Sequence, residues 1–148
     1  MSADAILIAE DNEDDEELAV RTLRKAALTD HIIVVRDGQQ AVDYLCASGD
    51  FACRDPQLVI RVMFLDMKLP KLNGLQVLRK IRSSRLPPIP VVVLSSSDLE
   101  SDVTAAYAEG ANSYVAKPVR FDLYAEAIAS IGAYWLRHNL VPTQPHRK

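Results

Sequence analysis

Residues 5–17, AILIAEDNEDDEE, decide how the rest of the chain is read. The run Ala5 to Ala9 is short and apolar at every position, the pattern of a strand buried on both faces. Of the eight residues that follow, Glu10 to Glu17, seven are acidic. Such density belongs in the first turn of a helix, where carboxylates complement the helix dipole. Leu18, Ala19, Thr22, Leu23, Ala26 and Ala27 then share one stripe, which makes the segment an amphipathic helix. A doubly buried strand running straight into such a helix is the first half of a parallel crossover unit.

The alternation continues to the end of the chain. HIIVVRDG predicts a second strand closed by Asp37-Gly38, and Gln39 to Ser48 a second helix with Ala41, Tyr44 and Leu45 inward. SGDFACRDPQ reads as a loop. LVIRVMFLD, residues 58–66, is a third strand interrupted by Arg61, whose charge predicts that the strand starts later than Leu58. LPKLNG is a turn, and Leu75 to Arg82 a third helix carrying Val77, Leu78 and Ile81 on one face. RLPPIP ends it, because proline cannot continue a helix. VVVL is a fourth strand, SSSD offers caps for a fourth helix running to about Gly110, and Asn112 to Ala116 is a fifth strand. Phe121, Tyr124, Ile128, Ile131 and Trp135 mark a long fifth helix, and NLVPTQPHRK, residues 139–148, reads as a flexible end. Five strands alternating with five helices predict an α/β fold with a doubly wound parallel sheet, order 2-1-3-4-5, in the flavodoxin-like manner.

Composition narrows the function classes. With 148 residues the chain suits one domain, and a net charge of −3 suggests no broad nucleic-acid surface. Cys46 and Cys53 stand alone, so neither a disulfide framework nor a zinc site is supported. No basic leader precedes the first strand and no run approaches the ~20 apolar residues that span a bilayer. These features predict a soluble, cytoplasmic protein with no membrane or nucleic-acid partner.

In the order 2-1-3-4-5 a ligand site lies at the carboxyl ends of the first and third strands. Glu10 and Asp11 end the first and Asp66 the third. Three carboxylates on one edge repel unless a cation intervenes. An all-oxygen set without a calcium-loop pattern favours Mg²⁺, with Mn²⁺ as the alternative. Glu13, Asp14, Glu16 and Glu17 read as helix-cap charges only. Ser95 after VVVL and Lys117 after NSYVA end the fourth and fifth strands. Singly they are a helix cap and a solvated lysine. Jointly with the acids they suit a phosphoryl group on Asp66, its charge shared by metal, hydroxyl and ammonium.

The acidic pair after the first strand, the D-x-x-L-P-x-x-[NG]-G form of DMKLPKLNG, the SS after the fourth strand and YVAKP resemble the receiver domain of bacterial two-component response regulators. The resemblance implies that Asp66 is the phosphoacceptor, that Asp11 ligates the metal directly with Glu10 acting largely through water, and that Lys68 lends a backbone carbonyl to the metal. It further implies that Ser95 and Tyr114 are the switch pair, that Lys117 contacts the phosphoryl group, and that Pro118 follows a cis peptide. The activity implied is phosphoryl transfer from a phosphohistidine on a partner kinase, with self-dephosphorylation and no other enzymatic turnover.

EDNEDD, the long loop before the third strand, SSSD and the ending FDLYAEAIASIGAYWLRHNLVP are similar, more narrowly, to single-domain regulators encoded with bacteriophytochrome kinases. The expectation is a receiver domain over residues 1–138, no output domain, a phytochrome-type sensor histidine kinase as partner, and signalling by protein contact. Tyr134 and Trp135 read either as core closure or as a homodimer surface on the last helix. Two other readings compete. An aspartyl-nucleophile phosphatase usually carries an acid two residues after the nucleophile, where this chain has Lys68. A receiver-like scaffold that works without phosphorylation has no need to keep Glu10, Asp11, Asp66, Ser95 and Lys117 together.

Overall fold

The computed structural model describes residues 3–141. Five strands, β1 (Ala3–Ala9), β2 (His31–Val35), β3 (Leu58–Asp66), β4 (Val91–Ser95) and β5 (Ser113–Ala116), form one parallel sheet in the order β2-β1-β3-β4-β5. Between and after them run α1 (Glu13–Lys25), α2 (Gly38–Cys46), α3 (Gly74–Arg82), α4 (Glu100–Ala108) and α5 (Phe121–Ala133). The doubly wound order expected from the alternation of patterns is the one observed.

The period of two along β1 divides the core. Ala5, Leu7 and Ala9 face a cluster with Ala41, Leu45, Val77, Leu78 and Ile81 of α2 and α3. Ile6 and Ile8 face the other side, with Ala19 and Leu23 of α1 and Tyr124 and Ile128 of α5. β1 from Ala5 to Ala9 and β4 are covered on both faces, which is why those runs are almost wholly apolar.

Element ends follow local chemistry. Asn12, Asp37 and Asn73 each accept a hydrogen bond from a backbone N–H of the helix they precede, and Asn73 with Gln76 closes a full capping box. The fourth helix departs from expectation. SSSD lies outside it, and its N-cap is Leu99, with no side-chain cap bond. Ser97 instead accepts from the Leu99 N–H and donates to Asp102, which ties the β4–α4 loop to the helix. Gly110, at φ +104°, makes the left-handed turn that follows.

The third strand corrects a second expectation, because it begins at Leu58 and runs through Arg61. Ala5 pairs with Ile60 and Ile6 with Val62, so Arg61 is the extra residue of a bulge. The bulge turns its guanidinium to Asp4, at 3.1 Å, and to the backbone carbonyls of Trp135 and Asn139, at 3.4 and 2.8 Å. These carbonyls belong to a π-helical turn, Tyr134–His138, and the residue after it. Asn139 is thereby held to the sheet rather than beginning a free tail; the rest of the expected flexible end, from residue 142, lies outside the described residues. Arg61→Ala is expected to cost about 2 kcal/mol, the scale of hydrogen bonds to a charged group, and to lower the melting temperature by roughly 4–8 °C. An unchanged thermal melt would show that the clamp carries no stability.

Candidate functional site

A parallel sheet carries all its strand carboxyl ends to one edge, and β1, β3, β4 and β5 are successive neighbours there. Glu10 and Asp11 leave β1, Asp66 ends β3, Ser95 ends β4 and Lys117 follows β5. Oxygens of Glu10, Asp11 and Asp66 lie within 4.8 Å of one another. Ser95 is one residue beyond Leu94, the partner of Asp66 in the β3–β4 register, and is itself paired with Ala116. The sequence reading placed these residues together, and the topology brings them together.

The Lys117 ammonium is the centre of the charge network. It donates to Glu10 Oε1 at 2.7 Å and to Asp15 Oδ2 at 3.0 Å, and lies 3.8 Å from Asp66 Oδ1. Glu10 also accepts from the Asn12 N–H at 3.2 Å, and Asp66 receives a long contact from the Lys68 N–H at 3.4 Å. Glu10 is 3%, Asp66 8% and Ser95 3% exposed, whereas Asp11 is open to solvent. Four carboxylates against one ammonium leave a deficit of positive charge that a hard divalent cation meets, and an all-oxygen donor set is what such a cation takes.

Protonation follows from the same geometry. Burial, opposed by the Lys117 hydrogen bond and reinforced by the charge of Asp66, pushes the Glu10 carboxyl up to about 7. Burial would lower the Lys117 ammonium, but the hydrogen bond to Glu10 and the charges of Asp66 and Glu10 outweigh it and hold the group above its ordinary value. Burial likewise raises the Tyr124 phenol. A carboxyl raised from 4.5 to about 7 binds more protons folded than unfolded within that window, so its contribution to stability falls as pH rises through it. In EDTA, wild type is therefore expected to lose stability relative to Glu10→Gln between these pH values. Parallel melting curves for the two proteins would contradict this.

The remaining expected residues fall as follows. Lys68 is exposed beside Asp66. Tyr114 is half-buried, and its hydroxyl donates to the Ser97 carbonyl at 2.8 Å, next to an open cleft of ≈170 Å³ lined in part by Lys68, Ser95 and Asp102. Pro118 is corrected: among the described residues no peptide bond is cis, so Lys117–Pro118 is trans, the form an X–Pro bond prefers intrinsically. Tyr134 and Trp135 lie away from the site. Their rings meet edge to face at 5.1 Å; Trp135 packs on the α1–α5 side of the core while Tyr134 is half exposed.

Asp15 was missed. It stands in the first turn of α1 among acids that read as helix-cap charges, and its backbone N–H is the one that Asn12 caps, at 2.9 Å. The available signal was its position three residues after a capping Asn, which brings its side chain round to the strand edge.

Comparison with known proteins agrees with this geometry. Residues 6–129 match the response regulator receiver domain. The chain is 38% identical over 138 residues to the probable methanogenesis regulatory protein FilR2 of Methanothrix harundinacea, covering 93% of this chain and 86% of that one. Among solved structures, the bacteriophytochrome response regulator RtBRR is 47% identical with a TM-score of 0.72, over 96% of this chain and 85% of its own. The phosphorylated cyanobacterial phytochrome response regulator RcpA is 31% identical with a TM-score of 0.87, over 97% and 100%. A match over most of its length, with the acidic pair, the strand-end aspartate and the lysine all on one sheet edge, shows that the chain belongs to the response regulator receiver domain family.

Proposed function

We propose that Asp66 accepts a phosphoryl group from a phosphohistidine of a sensor histidine kinase, in a Mg²⁺-dependent reaction, and that the phosphorylated protein signals by contact with other proteins. The observation that carries this reading is the placement of Asp66, nearly buried, beside the acidic pair and 3.8 Å from an ammonium. In the transfer an Asp66 oxygen bonds to phosphorus while the phosphorus–nitrogen bond breaks and its electron pair stays on the imidazole.

Glu10, Asp11, Asp66 and the Lys68 carbonyl are the groups that would hold the cation, Glu10 through water. Bound there, Mg²⁺, or Mn²⁺ in its place, would neutralise charge on the transferring phosphoryl oxygens. Lys117 supplies a further positive charge and Ser95 a hydroxyl to the same oxygens, from groups already fixed at strand ends. Ser95 and Tyr114 then act as the switch: the hydroxyl turns to the phosphoryl group, and Tyr114 gives up Ser97 for the cleft beside it. This biases an equilibrium between two arrangements of the β4–α4 loop.

The likeness to RtBRR and RcpA supports a phytochrome-type kinase as donor. Residues 1–138 are the receiver unit, acting in the cytoplasm without nucleic-acid or membrane contacts; among the described residues no helix is long and apolar enough to cross a membrane. Tyr134, half exposed and set edge to face against Trp135, is the anchor of a homodimer surface at the end of the last helix. The protein turns over no substrate besides its own acyl phosphate.

The test is incubation with acetyl phosphate and Mg²⁺ followed by intact mass. A gain of one phosphoryl group that chelation prevents is expected. No gain from protein shown separately to bind Mg²⁺ would overturn the reading.

A further inference from the structure

Lys117 has three protons to donate, and in this structure two of them are committed on the α1 side of the site. The Glu10 contact joins the ends of β1 and β5 across β3 and β4, which lie between them in the sheet. Asp15 is different, because it comes from the first turn of α1, carries a quarter-exposed side chain, and takes no part in the carboxylate cluster of Glu10, Asp11 and Asp66. Its carboxylate has no other hydrogen-bond donor among the described residues. The result is an ammonium drawn towards the helix, at hydrogen-bonding distance from Glu10 and Asp15 but 3.8 Å from the atom it must serve.

We propose that Asp15 is a positioning residue, a latch that holds the Lys117 ammonium towards α1 while Asp66 is unmodified and releases it when a phosphoryl group forms there. This rests on the phosphoacceptor reading of Asp66. Conversion of the Asp66 carboxylate to an acyl phosphate places more negative charge beyond the present 3.8 Å gap. The ammonium then closes on a phosphoryl oxygen, and the bond to Asp15 is the one given up, because Glu10 is buried and cannot be left unpaired whereas Asp15 reaches water. The helix–lysine bond therefore opposes occupancy of the site. Weakening it shifts the balance towards the phosphorylated form by a coupling of the ordinary kind between two interactions that compete for one group.

The experiment compares wild type, Asp15→Asn and Asp15→Glu, two substitutions at a partly exposed helix position that leave the core untouched. The first readout needs no phosphoryl chemistry. In EDTA, the Lys117 ammonium signal in ¹⁵N NMR, assigned with Lys117→Arg, is expected to shift and its protons to exchange with water several-fold faster in Asp15→Asn, with Asp15→Glu near wild type. The second is titration with beryllium trifluoride, an acyl phosphate mimic, at saturating Mg²⁺. Asp15→Asn is expected to bind it about five-fold more tightly than wild type, the lower end of ordinary coupling energies, and Asp15→Glu to restore the wild-type affinity. An unchanged ammonium signal, or equal or weaker binding of the mimic by Asp15→Asn, overturns the latch. If the ammonium responds but neither protein takes up the mimic, the restraint by Asp15 stands, the release on phosphorylation falls, and the phosphoacceptor reading falls with it.

Discussion

Asp66→Ala is expected to take up no phosphoryl group from acetyl phosphate under conditions where the wild type gains one. The reason is chemical and local. Asp11 is open to solvent and, among the described residues, has no basic side-chain partner; Glu10 is already hydrogen-bonded to Lys117 at 2.7 Å, and Asp66 has the ammonium near but not engaged. The substitution has a second, opposite effect on stability. Glu10, Asp11 and Asp66 bring oxygens within 4.8 Å, so removal of one acid relieves repulsion that the single Lys117 ammonium offsets only in part when the cation is chelated. In EDTA the variant is expected to melt at or above the wild-type temperature. Its affinity for Mg²⁺ should fall by at least the roughly ten- to hundredfold that loss of an outer-shell partner costs a metal site. Intact mass, thermal melts in EDTA and calorimetric Mg²⁺ titration check the three parts. A variant that is still phosphorylated would move the acceptor elsewhere, and one that melts well below wild type in EDTA would mean that Asp66 serves the fold rather than the chemistry.

Gly38→Ala is expected to be the most damaging methyl addition at any of the five glycines. A Cβ at Gly38 would lie 1.9 Å from the Leu72 carbonyl oxygen and 2.6 Å from the Leu72 Cβ, so backbone must move. The same glycine donates its N–H to the Pro70 carbonyl at 3.0 Å, which locks the start of α2 onto the β3–α3 loop. Overpacking of this kind costs on the order of 3 kcal/mol, which corresponds to roughly 6–12 °C in melting temperature for a chain of this size. The loop it displaces is the one that follows Asp66 and carries Lys68, so metal affinity should fall with stability. Gly132 offers a comparison, because a Cβ there meets only the ends of the Leu23 and Leu28 side chains, which can turn aside. Denaturant unfolding of the two alanine variants should rank Gly38→Ala well below Gly132→Ala. Equal losses would show that the contact with Leu72 is relieved by a small backbone shift.

The acceptor and the acidic pair were legible because they depend on order along the chain. Apolar runs of five residues, helical stripes and turn residues are local properties, and in a parallel sheet every strand's carboxyl end must emerge on the same edge. Once the strand order is 2-1-3-4-5, Glu10, Asp11, Asp66, Ser95 and Lys117 have nowhere else to gather. Residue chemistry then says what the edge can hold.

What the tertiary structure alone decided are the contacts that join residues far apart in the chain. Lys117 meets Asp15 across 102 positions and Arg61 meets Asn139 across 78. Arg61 looked like a reason to shorten a strand, and a bulge made it a clamp on the last turn. Asp15 was passed over in a run of first-turn acids, and the closeness of α1 to the end of β5 made it a partner of the lysine. Gly38 looked like a turn residue, and the approach of Leu72 made it a packing requirement. Pattern fixes where each element begins and which face is buried, within a few residues. Which side chains then share a hydrogen bond depends on ångström-scale placement of packed elements, which periodicity does not encode.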